Sequence, residues 1–482
     1  MSAADAGEFA GQRVAVAGIG VAGIACAQAL LERGAEVVAV DAGTDAQRQE
    51  RAAALTARGA QVRLGDATTL PDALDLLVVS PGFPPGAPII EAALAAEVPV
   101  WGELELAWRL QGRDAGADWL VITGTNGKTT TTLMLESILR AAGAATVAAG
   151  NIGTSLVEVV ANQRLDVIAV EIGAPQLPFW HTVSPHSTVC LNIAEDHVDH
   201  FGTFDRYVAT KAKAYERTRV AAVYNAADPA TLRMVEQAEV VDGCRAIGFT
   251  LGTPGLSELG VVEDLLVDRA FVADRRNTAQ ELASLDDVHP RAPHQVANAL
   301  AAAALARAWG VPPSAVRDGL RSFRPAAHRI AHVATIDGVQ YIDDSKATNA
   351  HAAQTSLAAF EDVVWIAGGM AKGQAFDDLV QQVADRLRAV VLLGVDRGEI
   401  EAALRRHAPD VPRIDIGRAD TGAMADVVAA AAAAAQPGDC VLLAPGCASW
   451  DMFRNYGHRG DAFAEAVQAM QEGRNEGSSG AG

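Results

Sequence analysis

Short apolar runs alternate with longer amphipathic stretches along nearly the whole chain. Residues 13–17 (Arg-Val-Ala-Val-Ala) have the length of a buried strand, an Ala/Leu-rich stretch runs on at helical spacing to Arg33, and Glu36 to Val40 forms a second apolar run ending in Asp41. Asp75 to Val79, Val98 to Trp101, Trp119 to Ile122, Asp166 to Val170 and Thr188 to Ile193 repeat the strand signal. Met134, Leu135, Ile138, Leu139 and Ala142 recur at helical spacing with Gly143 as a stop, and His294 to Ala308 is an Ala-rich helix. Beyond Phe323-Arg324-Pro325, the runs Val339 to Ile342, Val363 to Ala367, Val390 to Leu393 and Cys440 to Ala444 predict another α/β layer. Residues 251–290 alternate weakly and predict a pair of strands with loops. The seven alanines Ala429 to Ala435 predict a surface helix, and the polar, Gly/Ser-rich residues 471–482 predict a disordered tail.

This pattern predicts an α/β protein of three domains. A Rossmann-like N-terminal domain spans 1–112, a central P-loop ATPase-type domain 113–325 and a C-terminal Rossmann-like domain 326–482. The length of 482 residues agrees with a prior of about 150 residues per domain. A formal net charge of −20 argues against a nucleic-acid partner but leaves room for a local basic pocket. Cys26, Cys190, Cys244, Cys440 and Cys447 are scattered without CxxC spacing, which points to a reducing compartment and no structural zinc. The start, Met-Ser-Ala-Ala-Asp, has no signal-peptide character, and no long uncharged apolar run predicts a membrane span. The expectation is a soluble cytoplasmic protein.

The main chemical signal is Val121-Ile122-Thr123-Gly124-Thr125-Asn126-Gly127-Lys128-Thr129-Thr130. A strand, a glycine turn, Lys-Thr and a helix are how a protein holds a nucleoside triphosphate. Backbone N–H groups face the phosphates, Lys128 reaches the β/γ-phosphates, and the Thr129 hydroxyl sits on Mg²⁺. The general P-loop pattern asks for a glycine where Ile122 stands, so the pattern fails at that position.

A second glycine signal, Gly18-Ile19-Gly20-Val21-Ala22-Gly23, follows the first strand, with Asp41 about twenty residues on. At face value it is an NAD-binding fingerprint of a dehydrogenase. Physically it fits any nucleotide diphosphate, or packing glycines alone. Ser80-Pro81-Gly82 is a turn at a strand's carboxyl end, where ligands tend to sit. Asp196-His197-Val198-Asp199-His200 follows a buried strand and joins Glu171, at another strand end, as a candidate Mg²⁺ set. His328-Arg329 and the loop Asp344-Ser345-Lys346-Ala347-Thr348-Asn349 place cations, hydroxyls and a carboxylate where phosphoryl transfer can use them.

Taken together, these residues resemble the Mur ligases of peptidoglycan precursor synthesis, and within them the D-glutamate-adding branch. The resemblance runs from about residue 12 to 465 and rests on Thr123 to Thr130, Gly150-Asn151-Ile152-Gly153, Asn192 with Asp196-His197, and Tyr207 with Lys211. It continues through His294 with Asn298, His328-Arg329, Asp344 to Asn349, Pro445 to Ser449 and Arg454-Asn455-Tyr456. It implies an ATP-dependent amide ligase that joins D-glutamate to UDP-N-acetylmuramoyl-L-alanine through an acyl phosphate, acting as a monomer. The first loop, with Gly20, Val21, Ala22, Asp41 and Ser80, then binds the uridine diphosphate rather than NAD, and Asn151 and Gln176 contact the muramoyl part. Gly124, Thr125, Asn126, Gly127, Lys128, Thr129, Thr130, Asn298, Arg329 and Asp344 hold ATP and its metal. Thr129, Glu171, His197 and a carbamylated Lys211 serve two Mg²⁺ sites, while Lys346, Thr348, Lys372, Ser449 and Tyr456 receive D-glutamate. Lys128, His197, Lys211, Arg329 and Lys346 carry the catalytic expectation. The chain departs from the family at Gly173-Ala174-Pro175, where two serines and a phenylalanine are usual, at Ala331, where an acidic residue is common, and at Met370-Ala371 before Lys372.

Overall fold

The computed structural model describes residues 9–112, 116–194, 201–325, 327–418 and 420–479. Three sheets organise it. The first is wholly parallel, in the order β3-β2-β1-β4-β5, with β1 Arg13–Ala17, β2 Glu36–Asp41, β3 Gln61–Leu64, β4 Leu76–Val79 and β5 Val100–Gly102. The chain order reverses beside β1, so a crevice opens at the carboxyl ends of β1 and β4. The glycine turn 18–23 leaves β1, and Ser80 leaves β4.

The second sheet has nine strands: β6 Asp118–Thr123, β7 Thr146–Gly150, β8 Val167–Glu171, β9 Ser187–Cys190, β10 Ala221–Asn225, β11 Arg245–Phe249, β12 Glu258–Val262, β13 Leu265–Asp268 and β14 Gln280–Ser284. Its order is β14-β13-β12-β11-β10-β9-β6-β8-β7. β7 through β12 run parallel, and β13 and β14 add an antiparallel edge. Residues 251–290 therefore hold three strands rather than the expected pair. β12 is the one the weak alternation hides, because Gly260 and the half-exposed Val261 interrupt its apolar face.

The central strands β6 and β8 read as unbroken apolar runs because both faces are covered. One face shares a core with the first sheet, in which Val14, Val16 and Leu30 pack with Trp119, Val121, Ile168 and Val170. The other packs Leu120, Ile122 and Val189 against helix Lys128–Ala141 and the buried alanines of helix Pro293–Ala308. Residues to Val288 together with Val296–Phe323 accordingly form one compact unit.

Arg324–Gly482 with His289–Gln295 forms the other unit. Its sheet has the order β15-β16-β20-β17-β18-β19, with β15 Ala331–Ile336, β16 Val339–Asp343, β17 Val363–Gly368, β18 Leu387–Leu393, β19 Arg413–Asp415 and β20 Cys440–Leu443. Only β15 is antiparallel to its neighbour. The alanine run belongs to helix Ala423–Ala434, and only Ala431 of the run is buried, so its outer face is on the surface as expected. Ala423, Met424, Val427, Val428 and Ala431 are buried in a core with Phe463 and Val467. The last helix spans Tyr456–Ser479.

Candidate active site

The loop after β6 is built around backbone that faces inward. Gly127 sits at φ +84°, and a Cβ there would lie 2.5 Å from Asn298 Oδ1, so this position admits only glycine. Asn192, just past β9, clamps the loop from below. Its side-chain oxygen accepts from Asn126 N–H at 2.9 Å, its amide donates to Asn126 O at 3.1 Å, and its carbonyl accepts from Thr125 N–H at 3.0 Å. The Thr125 hydroxyl lies 2.9 Å from the Tyr207 hydroxyl and accepts from Ala194 N–H at 3.0 Å. Asn192 and Tyr207 stand out in the sequence only through the resemblance, and the structure shows what they do.

Lys128 opens helix Lys128–Ala141 and folds its ammonium back on the loop, donating to Gly124 O at 2.9 Å and Thr125 O at 2.7 Å. Thr129 Oγ1 donates to Glu171 Oε2 at 2.6 Å. Asn151, in the turn after β7, donates to Glu171 Oε1 at 3.0 Å. Lys211, on helix Phe204–Ala212, is 2 % exposed and donates to Gly124 O at 2.8 Å, with its ammonium 5.0 Å from the Tyr207 ring centroid. The structure thus gathers Lys128, Thr129, Glu171, Asn151, Lys211 and Asn298 around one loop at the carboxyl edge of the sheet. His197 lies outside the described residues. Among those described, no group of three His, Cys, Asp or Glu side chains converges as a metal site. The Thr129 hydroxyl and the Glu171 carboxylate nonetheless suit an oxygen-ligated Mg²⁺. Lys211 as an ammonium does not ligate, and carbamylation would convert it to an oxygen donor. His294 is half-buried, and desolvation pushes its pKa down to about 4, so it is neutral at pH 7.

The first glycine loop is arranged differently. A Cβ at Gly23 would lie 1.7 Å from Gly18 O, which explains the third glycine as a packing requirement. Asp41 turns inward. Its Oδ2 accepts from Ile19 N–H at 2.8 Å, and its Oδ1 accepts from Gly43 N–H at 2.7 Å and Arg48 Nε at 2.9 Å. Ser80 Oγ donates to Gly18 O at 3.0 Å. Both residues brace the turn, while Val21 stands 57 % exposed at the helix start. Gln176 is likewise occupied, its side-chain oxygen accepting from Gly173 N–H at 2.8 Å.

In the second unit the loops after β16, β17 and β20 leave the carboxyl edge together. Asp344 is buried. It accepts from Ile330 N–H at 3.3 Å and from the Ser356 hydroxyl. Burial raises its pKa to about 6, against the lowering effects of the Ser356 hydrogen bond and the Arg329 charge. Lys346 places its ammonium 4.1 Å from the Tyr456 ring centroid, and Lys372 lies 4.0 Å from that of the exposed Trp450. Thr348 is half-buried and Ser449 buried on the same loops. Sequence reading missed the residue that ties these loops together. Arg459, 1 % exposed, donates to Ser345 Oγ at 2.9 Å, Ser345 O at 2.8 Å and Cys447 O at 3.1 Å. Its place three residues beyond Arg454-Asn455-Tyr456 was the available signal. Burial lowers its pKa to about 10, so it stays charged.

A lysine and a threonine at the start of a helix, below a glycine turn and beside a carboxylate at a parallel sheet edge, define a P-loop protein of the α/β class. Family models describe the rest of the chain: a Mur ligase MurD-like N-terminal domain matches residues 12–102, a Mur ligase middle domain 122–306, and a Mur ligase glutamate ligase domain 328–447. The chain belongs to the Mur ligase family. It is 59 % identical over 461 residues to a UDP-N-acetylmuramoylalanine–D-glutamate ligase of Streptomyces avermitilis, covering 95 % of this chain and 98 % of that protein. It is 56 % identical to one of Thermobifida fusca, covering 96 % and 99 %. Among solved structures, a MurF ligase of Thermotoga maritima in complex with ADP shares the fold at TM-score 0.59 and 17 % identity, covering 91 % of this chain and 96 % of that one. The UDP-N-acetylmuramate-alanine ligase MurC of the same organism does so at 0.56 and 20 %, covering 95 % and 99 %.

Proposed function

We propose that this protein is an ATP-dependent ligase that forms the amide bond between UDP-N-acetylmuramoyl-L-alanine and D-glutamate, a cytoplasmic step of peptidoglycan precursor synthesis. The observation that carries the reading is the loop holding Lys128 over its own carbonyls with Thr129 hydrogen-bonded to Glu171, in a chain alike from end to end to ligases of that name. A carboxylate is a poor acceptor for an amine, so its activation as an acyl phosphate is the chemical reason for a phosphate-binding loop. The Lys128 ammonium leaves the Gly124 and Thr125 carbonyls for the β/γ-phosphates and offsets charge as the γ-phosphoryl group passes to the alanyl carboxylate. The amine of D-glutamate then attacks the acyl carbon, and phosphate leaves.

Mg²⁺ supplies charge neutralisation at the phosphates. Thr129, Glu171 and His197, with Lys211 as its carbamate, are the residues this reading assigns to hold it, at two sites. The same reading assigns Gly124 to Thr130, Asn298, Arg329 and Asp344 to ATP, and Lys346, Thr348, Lys372, Ser449 and Tyr456 to the two carboxylates and amine of D-glutamate. It assigns Gly20, Val21, Ala22, Asp41 and Ser80 to the uridine diphosphate, Asp41 and Ser80 by shaping the turn, and Asn151 and Gln176 to the muramoyl region. Three domains, 1–112, 113–325 and 326–482, divide the work in a chain that acts as a monomer. Among the described residues no helix is long and apolar enough to cross a membrane.

The test is phosphate release from ATP. Release that requires both UDP-N-acetylmuramoyl-L-alanine and D-glutamate, with L-glutamate inert, is the expected result. Release with the nucleotide sugar and a different amino acid would leave the reaction class standing and overturn the acceptor.

A further inference from the structure

Away from the loops already described, the far end of the nine-stranded sheet carries an open, shallow pocket of about 510 Å³. Arg245 at the start of β11, Arg275 on the turn before β14 and Arg307 on helix Pro293–Ala308 line it around Phe271, and no carboxylate is among the lining residues. In a chain of net charge −20, three guanidinium groups lining one pocket, with a single buried carboxylate, Asp268, against one of them, are out of keeping with the surface at large.

Each guanidinium is fixed through part of its donor set. Arg245 Nη2 donates to Ala270 O at 2.6 Å, and the group lies 5.3 Å from the Phe271 ring centroid. Arg275 Nη1 donates to Ser257 Oγ at 2.8 Å. Arg307 Nε donates to Asp268 Oδ2 at 2.9 Å and Nη1 to Val311 O at 2.6 Å. Asp268 is fully buried, and its other oxygen accepts from Ala270 and Phe271 N–H at 2.7 and 2.8 Å. One carboxylate, itself shared with the backbone, thus contacts one of the three cations. Arg245 is held below the ordinary arginine range, by burial first and the Arg275 charge second. An arginine has five N–H donors, so each pinned group keeps donors to spare in a preset geometry.

We propose that this pocket is a binding site for a small phosphate-bearing anion. Fixed, planar guanidinium groups match phosphate oxygens in pairs, and the volume accommodates a diphosphate. With Arg245 already over Phe271, the ring completes the wall and the phosphate groups alone are read.

The test is calorimetric titration of inorganic pyrophosphate into the full-length protein saturated with ADP, which fills the loop after β6. Arg275→Gln is the informative variant, because Arg275 is exposed on a turn. Arg276→Gln, the exposed neighbour outside the lining, removes the same charge. Saturable binding that Arg275→Gln weakens by about tenfold or more, while Arg276→Gln and Lys128→Ala leave it within about twofold, is the expected result. Equal weakening by both arginine variants would reduce the effect to diffuse charge and overturn the site. So would the absence of saturable binding, or binding abolished by Lys128→Ala and untouched by Arg275→Gln.

Discussion

The two glycine loops share one outline, strand to glycine turn to helix, and differ in what fills them. After β1 the turn closes on a carboxylate: Asp41 takes the N–H groups of Ile19 and Gly43 and is itself held by Arg48. After β6 the turn closes on a cation, with the ammonium of Lys128 resting on the carbonyls of Gly124 and Thr125. A turn braced by an internal acid can shape a surface for a diphosphate but has no cation in its own sequence to lend to chemistry. A loop with its own lysine beside the turn carries a charge it can lend to a reacting phosphate. The glycines are alike, and their neighbours decide what each loop can do.

The sharpest way to break this contrast is Lys128→Ala. Phosphate release should fall by about a thousandfold or more, while binding of the nucleotide sugar stays near normal. Equal loss of both would show that the loops do not work separately. Lys211→Ala should cost about a hundredfold or more, as expected for a metal-supporting group, and short-chain carboxylates in solution should restore part of the rate. An absence of rescue would count against the carbamate. A milder change is expected for Asp41→Asn, because only the brace is loosened. The KM for the nucleotide sugar should rise by about tenfold with kcat little changed, and a fall in kcat alone would contradict the bracing role.

A further effect, on stability rather than on catalysis, concerns a buried carboxylate of the second unit. The folded-state pKa of Asp344 lies near 6 against an ordinary 3.8, so the folded form holds its proton where the unfolded chain has lost it. Stability from this group is full below pH 4 and declines as pH rises to about 6. Asp344→Asn escapes that decline, so its stability relative to wild type should improve by up to roughly 3 kcal/mol between pH 4 and pH 7.5. Urea unfolding at the two pH values measures it.

Much of this arrangement was legible in the residues because buried parallel strands read as apolar runs and their carboxyl ends carry the polar motifs. β1, β2, β6, β8 and β17 follow directly from such runs. Ala331–Ile336 was not legible as β15, since His332 and Thr335 break its apolar face at an exposed edge. The Gly18–Gly23 turn misled at face value because its glycines record close approach of backbone, as the Gly23–Gly18 packing shows, and name no ligand. Asp41 stands out in the sequence, yet its inward turn toward Ile19 N–H, Gly43 N–H and Arg48, seven residues on, is something no fingerprint marks. Arg459 escaped notice because a buried arginine looks like any surface arginine until its partners are known.

Arg459 has a consequence beyond holding loops. Its hydrogen bonds go to a hydroxyl and to backbone carbonyls, with no carboxylate in contact among the described residues. Asp451 and Asp343 stand near enough to offset part of its charge, and what remains acts through a medium of low polarisability, so that field lines that water would scatter emerge at the carboxyl edge of the sheet. An approaching dianion would meet that potential before it touched either lysine. The side chain that fastens three loops also acts as a fixed electrode beneath them, and its influence should persist at salt concentrations that erase the pull of surface charges.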